Sequence, residues 1–298
     1  MTTEAITQVR PVEAALGGRL VRLLRRGLLH LAVILICAAW LVPTLGLLVS
    51  SFRPARAIAT SGWWTAFSNP SQFTLDLYRE ALSASNMAQS FLNSLTITVP
   101  STVIPIMIAA FAAYAFSWMR FPGRDFLFVD VVGLLVIPLQ MTFIPVLRLF
   151  NTLGLSGTFV GLWLAHTGYG LPFAIYLLRN FFGALPRDLF ESAYLDGASM
   201  MTTFFRLVLP LSVPALASLA IFQFLWVWND LLVALIYLGA LPSVAPMTVR
   251  IANLVNSLGG NWQVLTAAAF ISMLLPLAVF FGLQRYFVRG ILAGSVKG

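Results

Sequence analysis

The stretch Glu191-Ser192-Ala193-Tyr194-Leu195-Asp196-Gly197-Ala198, with Leu209-Pro210 behind it, is a polar island between two apolar runs of membrane length. A chain built of lipid-soluble helices has little reason to carry such an island unless it meets something in the aqueous phase. The surroundings set the class of molecule. Of 298 residues, 59% are hydrophobic and 9% charged, whereas a soluble globular domain carries about 25% charged residues. So little charge cannot cover a water-soluble body, and the bilayer must be the solvent.

A spanning helix needs about 20 mainly apolar residues. Six runs qualify, near 28–50, 91–118, 126–148, 157–178, 212–237 and 265–286. They predict an all-α polytopic membrane protein with six transmembrane helices. An N-terminal segment, 1–27, leads into a transmembrane domain, 28–290, which contains the loop 180–211, and a tail, 291–298, follows. Arg19, Arg22, Arg25 and Arg26 precede the first run as they would in a signal peptide. A signal core runs only about 7–15 residues, so the longer run here reads as an uncleaved anchor. Residues 1–18 are expected to be poorly ordered.

The formal net charge is +8. Nucleic-acid binding would gather this charge into a patch, but the arginines sit at the ends of apolar runs. Positive residues favour the cytoplasmic side. With the N-terminus inside, the inner segments hold Arg10, Arg19, Arg22, Arg25, Arg26, Arg120, Arg124, Arg179, Arg187, Arg206, Arg285, Arg289 and Lys297. The outer ones hold only Arg53, Arg56, Arg79, Arg148 and Arg250. Both termini and the island are therefore expected in the cytoplasm. The long outer segments are about 51–90 and 238–264, and Trp63-Trp64 in the first suit the headgroup level. Prolines at 43, 100, 105, 138, 145, 172 and 276 predict kinks whose freed backbone groups find partners on neighbouring helices or in a wet cavity.

Within the island, Asp188 suits an N-cap, with Glu191 three residues on reaching back as in a capping box. Gly197 suits a left-handed stop. Ser199 suits the cap of a second short helix, 200–208, ending before Pro210. Leu189, Phe190, Ala193 and Tyr194 give the first helix an apolar face. That face could rest on lipid, or it could dock in a groove of a cytoplasmic partner, where small Ala193 permits close approach.

Other polar residues carry two readings each. Asp230 falls near the outer end of the fifth run, where an ionisable group defaults to a functional hypothesis. It could line a solute path with Asn229, snorkel outward, or bind a neighbouring helix. Asp130 is read as an ion-pair partner of Arg120 or Arg124. His166, near Tyr169, suits a buried hydrogen bond rather than a proton relay, and His30 an interfacial position. Gln140, Thr142, Gln223 and Asn229, with Phe224, Trp226 and Trp228 nearby, could bind a sugar through planar hydrogen-bonding groups and aromatic faces. They could equally join helices. Cys37 is the only cysteine, and His30 and His166 are too far apart to form a recognisable metal site with it.

Further motifs carry a family resemblance. Glu191-Ser-Ala193, Asp196-Gly197 and Leu209-Pro210 resemble the EAA loop of permease subunits in binding-protein-dependent ABC importers, with Ser192 in place of the usual alanine. Arg120-Phe-Pro-Gly-Arg124 resembles the short loop between the second and third helices of sugar permeases. Trp228-Asn229-Asp230-Leu231-Leu232 resembles their fifth-helix signature, and Gly290-Ile-Leu-Ala-Gly-Ser-Val-Lys-Gly298 the tail of the smaller maltose-transporter permease. The likeness covers roughly 85–298 and leans toward the α-glucoside branch.

The resemblance implies a type I importer permease fold and one half of a pore for ATP-driven uptake of an oligosaccharide or α-glucoside. It assigns coupling to ATPase subunits to Asp188, Glu191, Ser192, Ala193, Asp196, Gly197, Ala198 and Pro210. The substrate-path candidates are Gln140, Gln223, Trp228, Asn229 and Asp230. The implied partners are a second permease, two ATPase subunits, an extracytoplasmic sugar-binding protein and lipid. The tail would reach the ATPases, and the 238–264 loop the binding protein. Independently, a P-loop needs a Gly-rich turn followed by Lys, and the only lysine is Lys297. ATP and Mg are therefore expected on another chain, with no cofactor on this one and no catalysis by it. A stand-alone secondary carrier and an ABC permease for a non-sugar solute are the rival classes; a carrier would need no such island.

Overall fold

The computed structural model describes residues 12–83, 86–239, 241–254 and 262–295, and among them every regular element is helical. The chain divides into two compact units, Met1–Leu75 and Asp76–Gly298.

The first unit is dominated by α1, Val12–Ser51. Part of the stretch expected to be poorly ordered is thus helical from Val12 on, and residues 1–11 lie outside the described set. Leucine and arginine are good helix formers and no proline follows Pro11 before Pro43, so the helix passes through Gly17, Gly18 and Gly27 from charged residues into the apolar run. Leu28 and Trp40 on it are 73% and 80% exposed, the surface of a helix solvated by lipid. Beyond it come α2, Ala55–Thr60, and a 3-10 turn, Trp63–Ser68. Trp64 is largely exposed, whereas Trp63 packs so closely on α1 that a Cβ at Gly46 would stand 2.8 Å from its indole nitrogen. Arg53, counted among the outer-segment arginines, is buried. It donates to Ala57 O at 3.1 Å and Ser61 Oγ at 2.6 Å.

In the second unit, α3 (Asp76–Ser83) leads to α4 (Met87–Trp118), α5 (Arg124–Gly133), α6 (Leu139–Thr152) and α7 (Phe159–Gly183). Then follow α8 (Arg187–Leu195), α9 (Met200–Thr203), a π-helical turn (Phe204–Val208) and α10 (Leu209–Leu211). The last four are α11 (Val213–Trp228), α12 (Leu232–Tyr237), α13 (Met247–Ala252) and α14 (Trp262–Ser295). Both α1 and α14 run through the boundaries drawn at 28 and 290. Residues 255–261 of the outer loop and 296–298 of the tail, including Lys297, lie outside the described set.

Among the described residues, Leu24–Ser51, Met87–Trp118 and Trp262–Tyr286 are long and apolar enough to cross a membrane. The total reaches five if each of two bent pairs is one span. The run at 126–148 is one of these pairs. Arg124–Val136 and Leu139–Thr152 meet at 101°, with Pro138 heading the second helix. The run at 212–237 is also interrupted, after Trp228, and α11 meets the preceding helical segment at 73°. The run at 157–178 is the 25-residue α7, about 37 Å long against a core of about 30 Å. It has the length of a span, but His166, Thr167, Tyr169 and several glycines leave it too polar to qualify by composition. Of the seven prolines, only Pro138 stands at a helix boundary; the others lie within continuous helices, whose neighbours absorb the lost bond.

Helix α4 packs along α7 at the centre of the unit. Ala109, Ala110 and Ala113 are buried there. Small residues let the backbones approach where lipid removes the hydrophobic drive between helices. Polar contacts secure the other end of α4: Asn93 Nδ2 donates to Ser243 O and Ala245 O, at 2.9 and 3.1 Å, and Ser94 Oγ accepts from Met247 N at 2.8 Å.

Candidate functional site

The 187–208 segment forms a helix, a turn and a second helix. Its first helix begins one residue ahead of the expected cap. Pro186 heads α8 and Asp188 lies in the first turn, so the Asp188–Glu191 capping box is not formed. Proline lacks an N–H, and the fixed φ at 186 starts the helix without a side-chain cap. The carboxylate of Asp188 in the first turn still complements the helix dipole. Ser192 Oγ donates to Asp188 O at 2.8 Å, so the residue that departs from the usual alanine satisfies its hydroxyl within its own helix.

Gly197 has φ +76°. Its N–H donates to Tyr194 O at 3.0 Å, and that of Ala198 to Ala193 O at 2.9 Å, the bond pair of a Schellman stop. Ser199 caps α9 by accepting from Thr202 N at 3.2 Å. The helix does not end before Pro210 but continues to Leu211. A π-helical turn over Phe204–Val208 widens the backbone just ahead of the proline ring and makes room that an α turn denies it.

The expected apolar face of α8 is divided. Phe190 is buried and stacks on Trp118 with ring centroids 3.5 Å apart and planes 16° apart. Leu189 and above all Leu195, 89% exposed, point away from the protein's own core, whereas Tyr194, partly exposed, turns its hydroxyl to that of Tyr114 on α4. Trp118 Nε1 donates to Phe182 O at 3.0 Å, which joins the ends of α4 and α7 beneath α8. Tyr114 Oη donates to Met200 O at 3.1 Å, and Phe111 stacks on Phe204 at 4.7 Å. A displacement of the segment must therefore move the ends of α4 and α7, or break these contacts. Among the coupling candidates, Asp188, Glu191, Ser192, Asp196, Gly197 and Pro210 are exposed, while Ala193 and Ala198 are half-buried.

The path candidates are not gathered in one place. Gln140 is exposed. Trp228 is buried and its indole N–H donates to Ser272 O at 3.0 Å. Asn229 Nδ2 turns back to Leu225 O at 2.8 Å. Asp230 accepts from Val233 N and Ala234 N, at 3.2 and 3.0 Å, capping α12 at the break in the fifth run. His166 is fully buried but makes no hydrogen bond among the described residues, contrary to expectation. Its Nε2 stands 3.8 Å from Asp230. Asp130 has no ion pair among the described residues either; Arg124 pairs instead with adjacent Asp125 at 3.0 Å. Thr142 donates to Tyr169 Oη at 2.9 Å, a helix-joining bond. Gln223 is buried, with Nε2 donating to Ser101 O at 3.1 Å.

Trp118, Tyr114 and Phe204, which hold the segment, were not singled out by sequence. Their spacing resembles that of any apolar helix, and their partners lie far along the chain.

The profile of the family described as binding-protein-dependent transport system inner membrane component matches residues 85–293. The osmoprotective compounds uptake permease protein GgtD of Synechocystis sp. is 62% identical over 272 residues, 90% of this chain and 91% of that protein. The α-glucoside transport system permease protein AglG of Rhizobium meliloti is 45% identical, covering 90% of this chain and 96% of that protein. A chain of the crystal structure of a bacterial ABC transporter involved in the import of the acidic polysaccharide alginate superposes with a TM-score of 0.72 at 20% identity, over 96% of this chain and all of that one. That likeness speaks to the fold alone.

Proposed function

The chain belongs to the family of inner membrane components of binding-protein-dependent transport systems, and from that premise we propose that it is one half of the pore of an ABC sugar importer. It is a transport subunit, not an enzyme. The cargo class is a sugar, an oligosaccharide or α-glucoside, in keeping with the α-glucoside permease at 45% identity.

Its partners are a second permease completing the pore, two ATPase subunits that hold ATP and Mg, and an extracytoplasmic binding protein. Both termini and the 187–208 segment lie in the cytoplasm, as the arginine distribution indicates, with six spans counting α7. The observation that carries the coupling role is the division of α8. Phe190 is locked on Trp118 and Tyr194 bonded to Tyr114, while Leu189 and Leu195 remain outward beside Asp188, Glu191 and Asp196. ATP-driven closure of the ATPases would press on this face and bias two arrangements of the spans, inward and outward. Gly197, Ala198 and Pro210 shape the turn and exit of the segment.

Purification tests the assignment. An ATPase chain that co-purifies, and sugar uptake that depends on ATP and binding protein in liposomes, is the expected result. A solitary chain carrying out proton-driven uptake would overturn it. One observation favours a second reading, a non-sugar cargo: the relative at 62% identity is named for osmoprotective compounds. The ligand of the cognate binding protein decides between the two.

A further inference from the structure

Three polar residues in the first turns of α4, Ser90, Asn93 and Ser94, are buried. Their spacing places them on one face of the helix. Each has a partner on the segment that follows α12. Asn93 Nδ2 donates to Ser243 O and Ala245 O, and Ser94 Oγ accepts from Met247 N. Ser90 Oγ accepts from Arg250 Nε at 3.3 Å, and Arg250 Nη2 donates to Pro242 O at 3.2 Å. Gln89 Nε2 donates to Asn93 Oδ1 at 3.0 Å, which orients the amide with its N–H side toward the two carbonyls.

The segment held in this way is a turn at 242–244 followed by α13. Irregular backbone beside a bilayer must have its polar groups satisfied by protein or by water, and here α4 supplies the partners. Ala245, Met247 and Val249 are buried against the protein, whereas Leu241, Pro242, Ser243, Ala252 and Asn253 are exposed. Thr248 Oγ1 adds a bond to Asp230 O, at 2.6 Å, at the break in the fifth run. One side of the segment is clamped and the other faces outward.

The opposite end of the same helix grips the 187–208 segment, through Tyr114 Oη on Met200 O and Trp118 on Phe190. Tyr114 lies 21 residues after Asn93, about 31 Å along the axis, which matches a hydrocarbon layer about 30 Å thick. Between the two grips α4 is one continuous helix, through Pro100 and Pro105. Ala109, Ala110 and Ala113 seat it on α7. A stiff helix held at both faces of the membrane moves both ends together.

We propose that Asn93, Ser94 and Arg250 are positioning residues that clamp the outer segment 241–252 to α4, so that this one helix reports the state of the ATPase-facing segment at the outer surface. The proposal rests on the importer assignment above and on the cytoplasmic placement of the 187–208 segment. A displacement imposed at Phe190 and Met200 then shifts Ser243 to Met247 with no separate relay. The linkage is reciprocal: a protein seated on the exposed side of the outer segment biases the coupling segment by the same free energy. Asn93 is the central member, since its one amide holds two carbonyls.

The test uses the whole importer in nanodiscs. An environment-sensitive fluorophore is attached at Ala252→Cys in a Cys37→Ser chain, with the cysteines of the partner subunits replaced. Magnesium with AMP-PNP, a non-hydrolysable ATP analogue, is expected to shift its emission. Asn93→Leu and Ser94→Ala should each cut that shift at least threefold, with basal ATP hydrolysis within twofold of the parent complex. Ser94→Thr keeps the acceptor and should retain the shift. Tyr114→Phe, at the far end of α4, should also diminish it. Ser94→Ala removes a single hydroxyl and carries the test if Asn93→Leu does not assemble. A clamp that served stability alone would lower the unfolding temperature and leave the shift intact, and that result overturns the proposal. So does an emission indifferent to nucleotide in a parent complex that hydrolyses ATP; the importer assignment then stands. A chain that assembles with no ATPase removes the importer assignment itself, and the role of the clamp with it.

Discussion

The ring of Phe190 lies flat on the indole of Trp118, 3.5 Å between centroids and 16° from parallel, and this pair joins the polar island to the end of a membrane-spanning helix. The same indole donates to Phe182 O, so one side chain meets α4, α7 and α8. A force applied to α8 has a short, stiff route into the spans.

Breaking that route should separate ATP hydrolysis from transport. Phe190→Ala removes a buried ring, at a cost of about 3–5 kcal/mol. Uptake in proteoliposomes is expected to fall at least tenfold while the complex still hydrolyses ATP. Trp118→Phe keeps a stack but loses the bond to Phe182 O, about 1 kcal/mol, and should act mildly. Full uptake by Phe190→Ala would remove the pair from the coupling route.

Gly197 tests the docking face. Its φ of +76° favours glycine, and among the described residues nothing but its chain neighbours lies within 4 Å of an added Cβ. Asparagine and aspartate both tolerate that backbone, so any difference between them reports charge, not strain. Gly197→Asp is expected to abolish uptake with membrane insertion intact, and Gly197→Asn to keep a measurable fraction. Equal uptake by wild type and Gly197→Asp would show that no partner approaches this turn.

Asp230 is expected to behave as a helix cap. Asp230→Ala removes the acceptor of Val233 N and Ala234 N and should cost about 1 kcal/mol, read as a lower unfolding temperature in detergent. Asp230→Asn keeps an acceptor oxygen and should lie close to wild type. If the asparagine variant lost transport while unfolding normally, the charge itself would be in use.

A double substitution probes the meeting of α7 and α11. Gly170→Ala places a methyl 2.7 Å from the Gln223 amide, and overpacking of this kind costs about 1–3 kcal/mol. Truncating the amide in the same chain, with Gln223→Ala, should recover part of that loss. A non-additive pair of unfolding temperatures is the expected signature, and strict additivity would show that the two side chains do not meet.

Much of the molecule was legible in sequence because the signals are local. Six apolar runs marked six helical regions, and Gly197 and Ser199 marked a stop and a start, since capping depends on residues a turn apart. The misplaced features share a cause. The Asp188 cap yields to Pro186 two residues earlier. The span at 126–148 folds back at Pro138, while Pro100, Pro105 and Pro172 leave their helices continuous. A proline's effect is set by the neighbours that absorb the lost bond.

By itself the sequence determined that the chain lives in lipid, is helical, exposes one polar segment and carries no lysine P-loop. Charge content, apolar run length and motif spacing decide these before any contact forms. Only the tertiary structure decided that Trp118 meets Phe190, that Trp228 is spent on Ser272, that His166 faces Asp230, and that Gly170 yields its space to Gln223. Those pairs lie tens of residues apart, and no periodicity records them. They exist because the helices close-pack, and which side chains then touch is a property of the packed whole.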